Sequence, residues 1–361
     1  MDEGRIYKEK EMEFKLKTLT PIWTGGVEGK PDKLHLTGIK GSIRWWYEVL
    51  VRGLDGYACN PGGKNSEDKC EFNTKSYGKT NNLDVELKKI CPACQIFGCT
   101  NWGGKVILRI DEEKGKGEEK EKEHYEPIKS LFNRELFFVL RFIERKSLTP
   151  EEKKLIKATV KLIVEYGALG GRTTLKPSET PYKNYESYPK KDHLDYGLIV
   201  YQEGFSIQQN NLTQFTSRIK NNNNDYPDLN NFWFISGAHI DRLDHNRLVK
   251  RKDSYPKAYR NDASDSDVFM GGYIKDDIRS LPNSIQSVLY RRNTESDGES
   301  KKIFSFHGFP KFNGGKDGFS QRCFGYARDV KKRDEIADKV KDILKENTYE
   351  FKTGPEVLNE L

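Results

Sequence analysis

The 361-residue sequence predicts an α+β fold. Several short segments alternate apolar and polar residues with period two, and others space their apolar residues by three and four. In the first half these segments follow the order β-α-β-β-α-β, which is the ferredoxin-like (RRM-like) arrangement.

Residues 13–19 open the order as a half-buried strand, with Phe14, Leu16 and Thr18 opposite Lys15 and Lys17. A helix follows over residues 42–54, where Ile39, Ile43, Trp46, Leu50 and Gly53 share one side. Residues 105–111 form the second strand, with Val106, Leu108 and Ile110 on one face, and the apolar run 134–145 forms the third. Thr149, Pro150 and Glu152 supply a capping box with proline at the first helical position. The helix so started carries Leu155, Thr159, Leu162, Ile163 and Tyr166 on its core face and ends at Gly167. Residues 198–201 complete the unit as a strand.

The second half repeats the idea less clearly. Strands are expected at 232–235, 303–309 and 323–327, with partly helical sequence at 276–290 and a helix over 332–346. The expectation is therefore two tandem ferredoxin-like domains with loop insertions. The first spans residues 1–205 with a cysteine-rich insertion at 55–104, and the second spans 206–361. Three polar stretches (111–126, 220–231 and 293–302) read as mobile surface loops, because they cannot bury enough apolar area to offset their ordering entropy.

The formal charge is +7, with 62 Lys and Arg against 55 Asp and Glu, a balance that suits a polyanionic partner. No apolar run approaches the ~20 residues needed to cross a bilayer, and the first residues carry no secretion signal. The expected location is the cytoplasm, where six cysteines do not form a disulfide framework.

Two glycine-rich segments carry the expected function. The first contains Gly25 and Gly26 and is followed by Lys40, Gly41, Arg44 and Trp45; the second contains Gly170, Gly171 and Arg172. Glycines let a backbone approach a bulky partner, cations neutralise phosphate, and aromatic faces stack on bases. Lys40, Arg44 and Arg52 fall on one helical stripe, with Lys40 and Gly41 placed at the helix start, where free N–H groups favour phosphate. The same stripe, with Glu48 between its arginines, also suits ordinary surface ion pairs. Of the adjacent Trp45 and Trp46, Trp46 is expected in the core, leaving Trp45 for base stacking or interface packing. The aromatic stretch 322–327 resembles an RNA-recognition strand only loosely, and a core strand is the better reading.

Five of the six cysteines lie between positions 59 and 99. Cys91 and Cys94 form a CxxC that Cys59 and Cys70 could complete as a four-thiolate zinc site; buried free thiols and redox chemistry are the alternatives. None of the six histidines sits in a catalytic motif. His35, beside the first glycine segment, is the one placed to serve a metal-independent ribonuclease, but a solvated loop histidine is the better reading, and no catalytic residue is assigned.

The stretch Thr20-Pro21-Ile22-Trp23-Thr24-Gly25-Gly26, the run Gly38-Ile39-Lys40-Gly41-Ser42-Ile43-Arg44-Trp45-Trp46-Tyr47 and the segment Cys91-Pro92-Ala93-Cys94-Gln95-Ile96-Phe97-Gly98 together resemble the RAMP superfamily. Within it they look most like the first-numbered subunit type of the Cmr module in type III-B CRISPR effectors. The resemblance is dense over residues 13–105, continues at 167–172 and thins afterwards. It implies tandem ferredoxin-like domains and a non-catalytic, RNA-binding place in a ribonucleoprotein. The partners so implied are CRISPR guide RNA, target RNA and other Cmr-complex subunits, with contacts toward the guide 3′ end. A guide-processing RAMP endoribonuclease and an assembly-only subunit are the rival readings. The resemblance implies no required cofactor and does not establish zinc.

Overall fold

The computed structural model describes residues 11–19, 22, 24, 34–61, 69–113, 136–170, 197–209, 212, 227–236, 303–305, 322–327, 329–343 and 349–361. These residues form two four-stranded antiparallel sheets with helices, an α+β architecture.

The first sheet comprises β1 (Glu11–Thr18), β2 (Val106–Glu113), β3 (Phe137–Glu144) and β4 (Ile199–Tyr201), ordered β2-β3-β1-β4. Period-two patterning sets its register. Phe14 pairs with Leu140 and Leu16 with Phe138, so the apolar side chains of both strands share one face. Leu108 lies opposite Phe142, whose ring meets Phe14 edge-on at 5.7 Å. On the other face Arg141 bridges Glu11, Glu13 and Asp111.

Two long helices lie between these strands in sequence and pack on each other: α1 (Leu36–Gly53) and α5 (Pro150–Glu165). The capping box forms as expected: Thr149 Oγ1 accepts from the Glu152 N–H, and the Glu152 carboxylate accepts from the Thr149 N–H. Every residue expected on the core face of α5 is buried.

The start of α1 corrects the sequence expectation. It begins at Leu36, six residues before the expected start, because Ile39 is an anchor as deeply buried as Ile43 and continues their four-residue spacing. Lys40 and Gly41 therefore sit in the second turn, not at the open end. The far half of α1 departs from an amphipathic pattern altogether: every residue from Trp46 to Val51 is buried. A second layer covers the side opposite the first sheet.

That layer is the second sheet: β5 (Phe232–Ser236), β6 (Ile303–Ser305), β7 (Arg322–Tyr326) and β8 (Glu350–Thr353), ordered β6-β7-β5-β8. Phe232 and Phe324 approach the Trp46 ring at 6.0 and 5.4 Å. Helix α6 (Val330–Ile343) packs on β5, and α7 (Gly354–Leu358) closes the chain. β8 and α7 were not legible in the sequence. A turn of 3₁₀ helix, Leu229–Asn231, corrects the loop expected at 220–231 over its last residues. Leu229 is fully buried, and a Cβ added to Gly53 would lie 2.6 Å from the Leu229 Cβ, so only glycine fits there. The expected helical stretch 276–290, the loop 293–302 and most of the loop 111–126 lie outside the described residues; residues 111–113 belong to β2.

The cysteine-rich insertion carries three short helices, α2 (Thr74–Thr80), α3 (Leu83–Leu87) and α4 (Pro92–Phe97). α2 buries none of its side chains and α3 only Glu86 and Leu87; the insertion's buried apolar residues lie instead in α4 and in connecting segments, as at Phe72 and Ile90. No helix among the described residues is long and apolar enough to cross a membrane.

Candidate functional site

Helix α1 organises the site, and the described residues Thr24 and Gly170, one from each glycine segment, reach its first half. Thr24, next to Gly25 in sequence, accepts a hydrogen bond at Oγ1 from the His35 N–H, 2.8 Å away, at the helix mouth. A Cβ on Gly38 would lie 3.3 Å from the Thr24 side chain. From the second segment, the Gly170 N–H donates to Ser42 Oγ at 3.1 Å, and Gly170 holds φ +113°, which favours glycine. Ala168 O accepts from Trp46 Nε1 at 2.9 Å. Segments far apart in sequence thus flank one stretch of helix around Lys40, Gly41 and Ser42. Gly25, Gly26, Gly171 and Arg172 lie outside the described residues.

Lys40 and Gly41 lie side by side in the second turn of α1. Gly41 is exposed, with nothing within 4 Å of the position a Cβ would take. Lys40 is half-buried, and burial, Arg44 and Arg145 together push its ammonium pKa down from the ordinary value. Burial is the larger cause, and the two guanidiniums add like-charge repulsion.

The arginines of the stripe are engaged elsewhere, which corrects the expectation of a phosphate-facing row. Arg44 donates through Nε to Glu48 at 2.7 Å and through Nη1 to the Gly98 carbonyl at 2.7 Å. Its Nη2 reaches Cys94 Sγ at 3.2 Å and Cys59 Sγ at 4.0 Å. Burial opposes the charge, yet Glu48 and Cys94 hold the Arg44 guanidinium above its ordinary pKa. Arg52 donates to the carbonyls of Ala58, Cys59 and Pro227, and its Nη2 lies 3.9 Å from Glu48. Both fork-shaped guanidiniums fasten α1 to the insertion. Trp45, expected to serve base stacking or interface packing, is half-buried among the rings of Trp46, Phe232 and Tyr326 at 4.9–6.1 Å. The strand 322–326 is a core strand, as expected, with Phe324 buried.

The four predicted cysteines come together. The sulfurs of Cys59, Cys70, Cys91 and Cys94 all lie within 4.8 Å of one another, and those of Cys59 and Cys94 are 3.4 Å apart. Cys91 is the N-cap of α4, its Sγ accepting from the Cys94 N–H at 3.4 Å, and Cys70 Sγ accepts from the Cys91 N–H at 3.3 Å. Three neighbouring thiols donating toward Cys59 lower its pKa, and that same donation raises those of Cys91 and Cys94. Sequence spacing alone did not reveal Arg44 as the cation over this cluster, because 50 residues separate it from Cys94.

Comparison with known proteins finds likeness over part of the chain. Over 100 residues the chain is 24% identical to the CRISPR system Cmr subunit Cmr1-2 of Pyrococcus furiosus, covering 26% of this chain. The aligned part spans 50% of that curated relative's length. A crystal structure of Cmr1 from Pyrococcus furiosus (apo form) aligns with 44% of this chain and 45% of that one, at 15% identity. Its TM-score of 0.22 is too low to bear on the fold. The RAMP superfamily profile matches residues 15–175, from β1 past Gly170. Over that part the chain is similar to the RAMP superfamily.

Proposed function

We propose that this chain is an RNA-binding, non-catalytic subunit of a type III-B CRISPR effector, contacting guide or target RNA toward the guide 3′ end alongside other Cmr-complex subunits. The similarity to a Cmr1-type subunit motivates the effector assignment. The observation that carries RNA binding is the convergence of Thr24 and Gly170, one from each glycine segment, on α1 beside a desolvated Lys40 and an exposed Gly41. Close backbone approach and a cation crowded by Arg44 and Arg145 suit a ribose-phosphate strand. Gly25, Gly26, Gly171 and Arg172 are included among the RNA contacts on sequence grounds alone. The matching strand orders of the two sheets favour tandem ferredoxin-like domains, divided near residue 205.

The test is a salt-dependent RNA titration. Lys40→Ala weakens binding across unrelated sequences and lowers the magnitude of the salt slope by about one counterion. Unchanged affinity and slope refute the role given to Lys40. Discrete cleavage of repeat RNA without metal, lost in His35→Ala, favours the endoribonuclease reading instead.

A further inference from the structure

We infer that Cys59, Cys70, Cys91 and Cys94 form a tetrahedral zinc site in which Arg44 serves as the charge-compensating positioning residue. This inference stands apart from the RNA reading and shares no measurement with it.

Geometry comes first. Zn–S bonds of about 2.3 Å in a tetrahedron set sulfur–sulfur edges near 3.8 Å. All four sulfurs already fall within 4.8 Å of one another, so closing on a zinc ion needs only small side-chain rotations. Cys91 and Cys94 flank the first turn of α4, with backbone N–H groups aimed at sulfur. Such N–H donors orient metal ligands and stabilise thiolate charge.

Charge comes second. Four thiolates around Zn²⁺ carry a net charge of −2, which is costly in a half-buried site. Arg44 supplies a cation 3.2 Å from Cys94 Sγ and 4.0 Å from Cys59 Sγ, held in that pose by Glu48 and the Gly98 carbonyl. Arg52 adds a second positive charge while gripping the Cys59 carbonyl. The guanidinium stripe of α1 therefore matches the anionic outer face of a zinc–tetrathiolate centre.

Need comes third. α2 buries no side chain, and α3 buries only Glu86 and Leu87. A module whose first two helices bury so little is held well by a metal bridging its two ends, Cys59 beyond the exit of α1 and the CxxC at α4. A thiophilic ion without redox chemistry suits a purely structural bridge, which selects zinc over iron.

Elemental analysis of the full chain, purified without added metal or chelator, is expected to give one zinc per chain. Cobalt exchanged into the wild-type protein is expected to give the intense visible bands of tetrahedral thiolate coordination, a readout that needs no variant to fold. In chelator competition, Arg44→Met is expected to lose zinc at an affinity about 10–100-fold weaker than wild type, with Arg44→Lys between them. Bound iron, a Cys59–Cys94 disulfide, or four freely reactive thiols with no zinc overturns the site. Unchanged zinc affinity and an unchanged cobalt spectrum in Arg44→Met overturn the part given to Arg44.

Discussion

Replacing Gly167 by alanine would put a methyl carbon 2.6 Å from Cζ2 of Trp46 and 3.0 Å from Cε2 and Cη2. Carbon atoms pack best at about 3.5–4.0 Å, so the indole must retreat by roughly 1 Å. It has little room to do so. Its Nε1 is tied to the Ala168 carbonyl at 2.9 Å, and Phe232 and Phe324 stand behind it. Overpacking of this kind costs about 1–3 kcal/mol, and bending the hydrogen bond adds about 1 kcal/mol. Gly167→Ala should therefore destabilise by about 2–4 kcal/mol, read as a lower urea midpoint by circular dichroism at unchanged slope. Trp46→Phe alone removes the clashing ring and the donor, leaving the Ala168 carbonyl unpaired at a cost of about 1–3 kcal/mol. The two changes meet at one contact, so the double variant should be more stable than the sum by about 1–3 kcal/mol. Additivity within about 0.5 kcal/mol would refute the proposed clash.

Two further outcomes follow from the same packing. Arg52→Ala strips donors from the carbonyls of Ala58, Cys59 and Pro227 and should cost about 2–4 kcal/mol in urea unfolding. Arg52→Lys should recover less than half of that, because one ammonium cannot span the three carbonyls; full recovery would show that charge alone matters. At the C-terminal end, hydrogen bonds from the Thr353 backbone and side chain hold the Glu356 carboxyl below its ordinary 4.5. Burial works against Glu360, yet Lys352 and Tyr166 hold it below 4.5 as well. Both groups are more acidic folded than unfolded, so their stabilisation is present above the unfolded value and lost as pH falls through the folded ones. The urea midpoint should drop on acidification below about pH 4.5, and Glu356→Gln with Glu360→Gln should flatten that drop; an equal slope in both proteins counts against it.

Much of this protein was written locally. Phe14, Leu16 and Thr18 alternate because a strand turns successive side chains to opposite faces, and Thr149 with Glu152 declares a helix start through one turn of backbone. The CxxC marks a thiol pair that a single short helix brings together. Helix α1 shows where such reading stops. Its spacing of three and four identifies a helix but not how many layers will cover it, and the second sheet buries the side that the pattern leaves open to solvent. That burial turns Trp45 into packing. The fold of the insertion likewise draws Arg44 and Arg52 toward sulfur and carbonyl oxygen and away from solvent.

The sequence by itself determined the four strands of the first sheet and the helices α1, α5 and α6 in outline, because period and capping depend on neighbours within a turn or two. Only the tertiary structure decided that Arg44 and Arg52 are engaged, that Gly170 meets Ser42, and that Cys59 and Cys70 join the pair at Cys91 and Cys94. Those outcomes depend on contacts between residues tens of positions apart, and nothing in local spacing encodes the path that closes such loops.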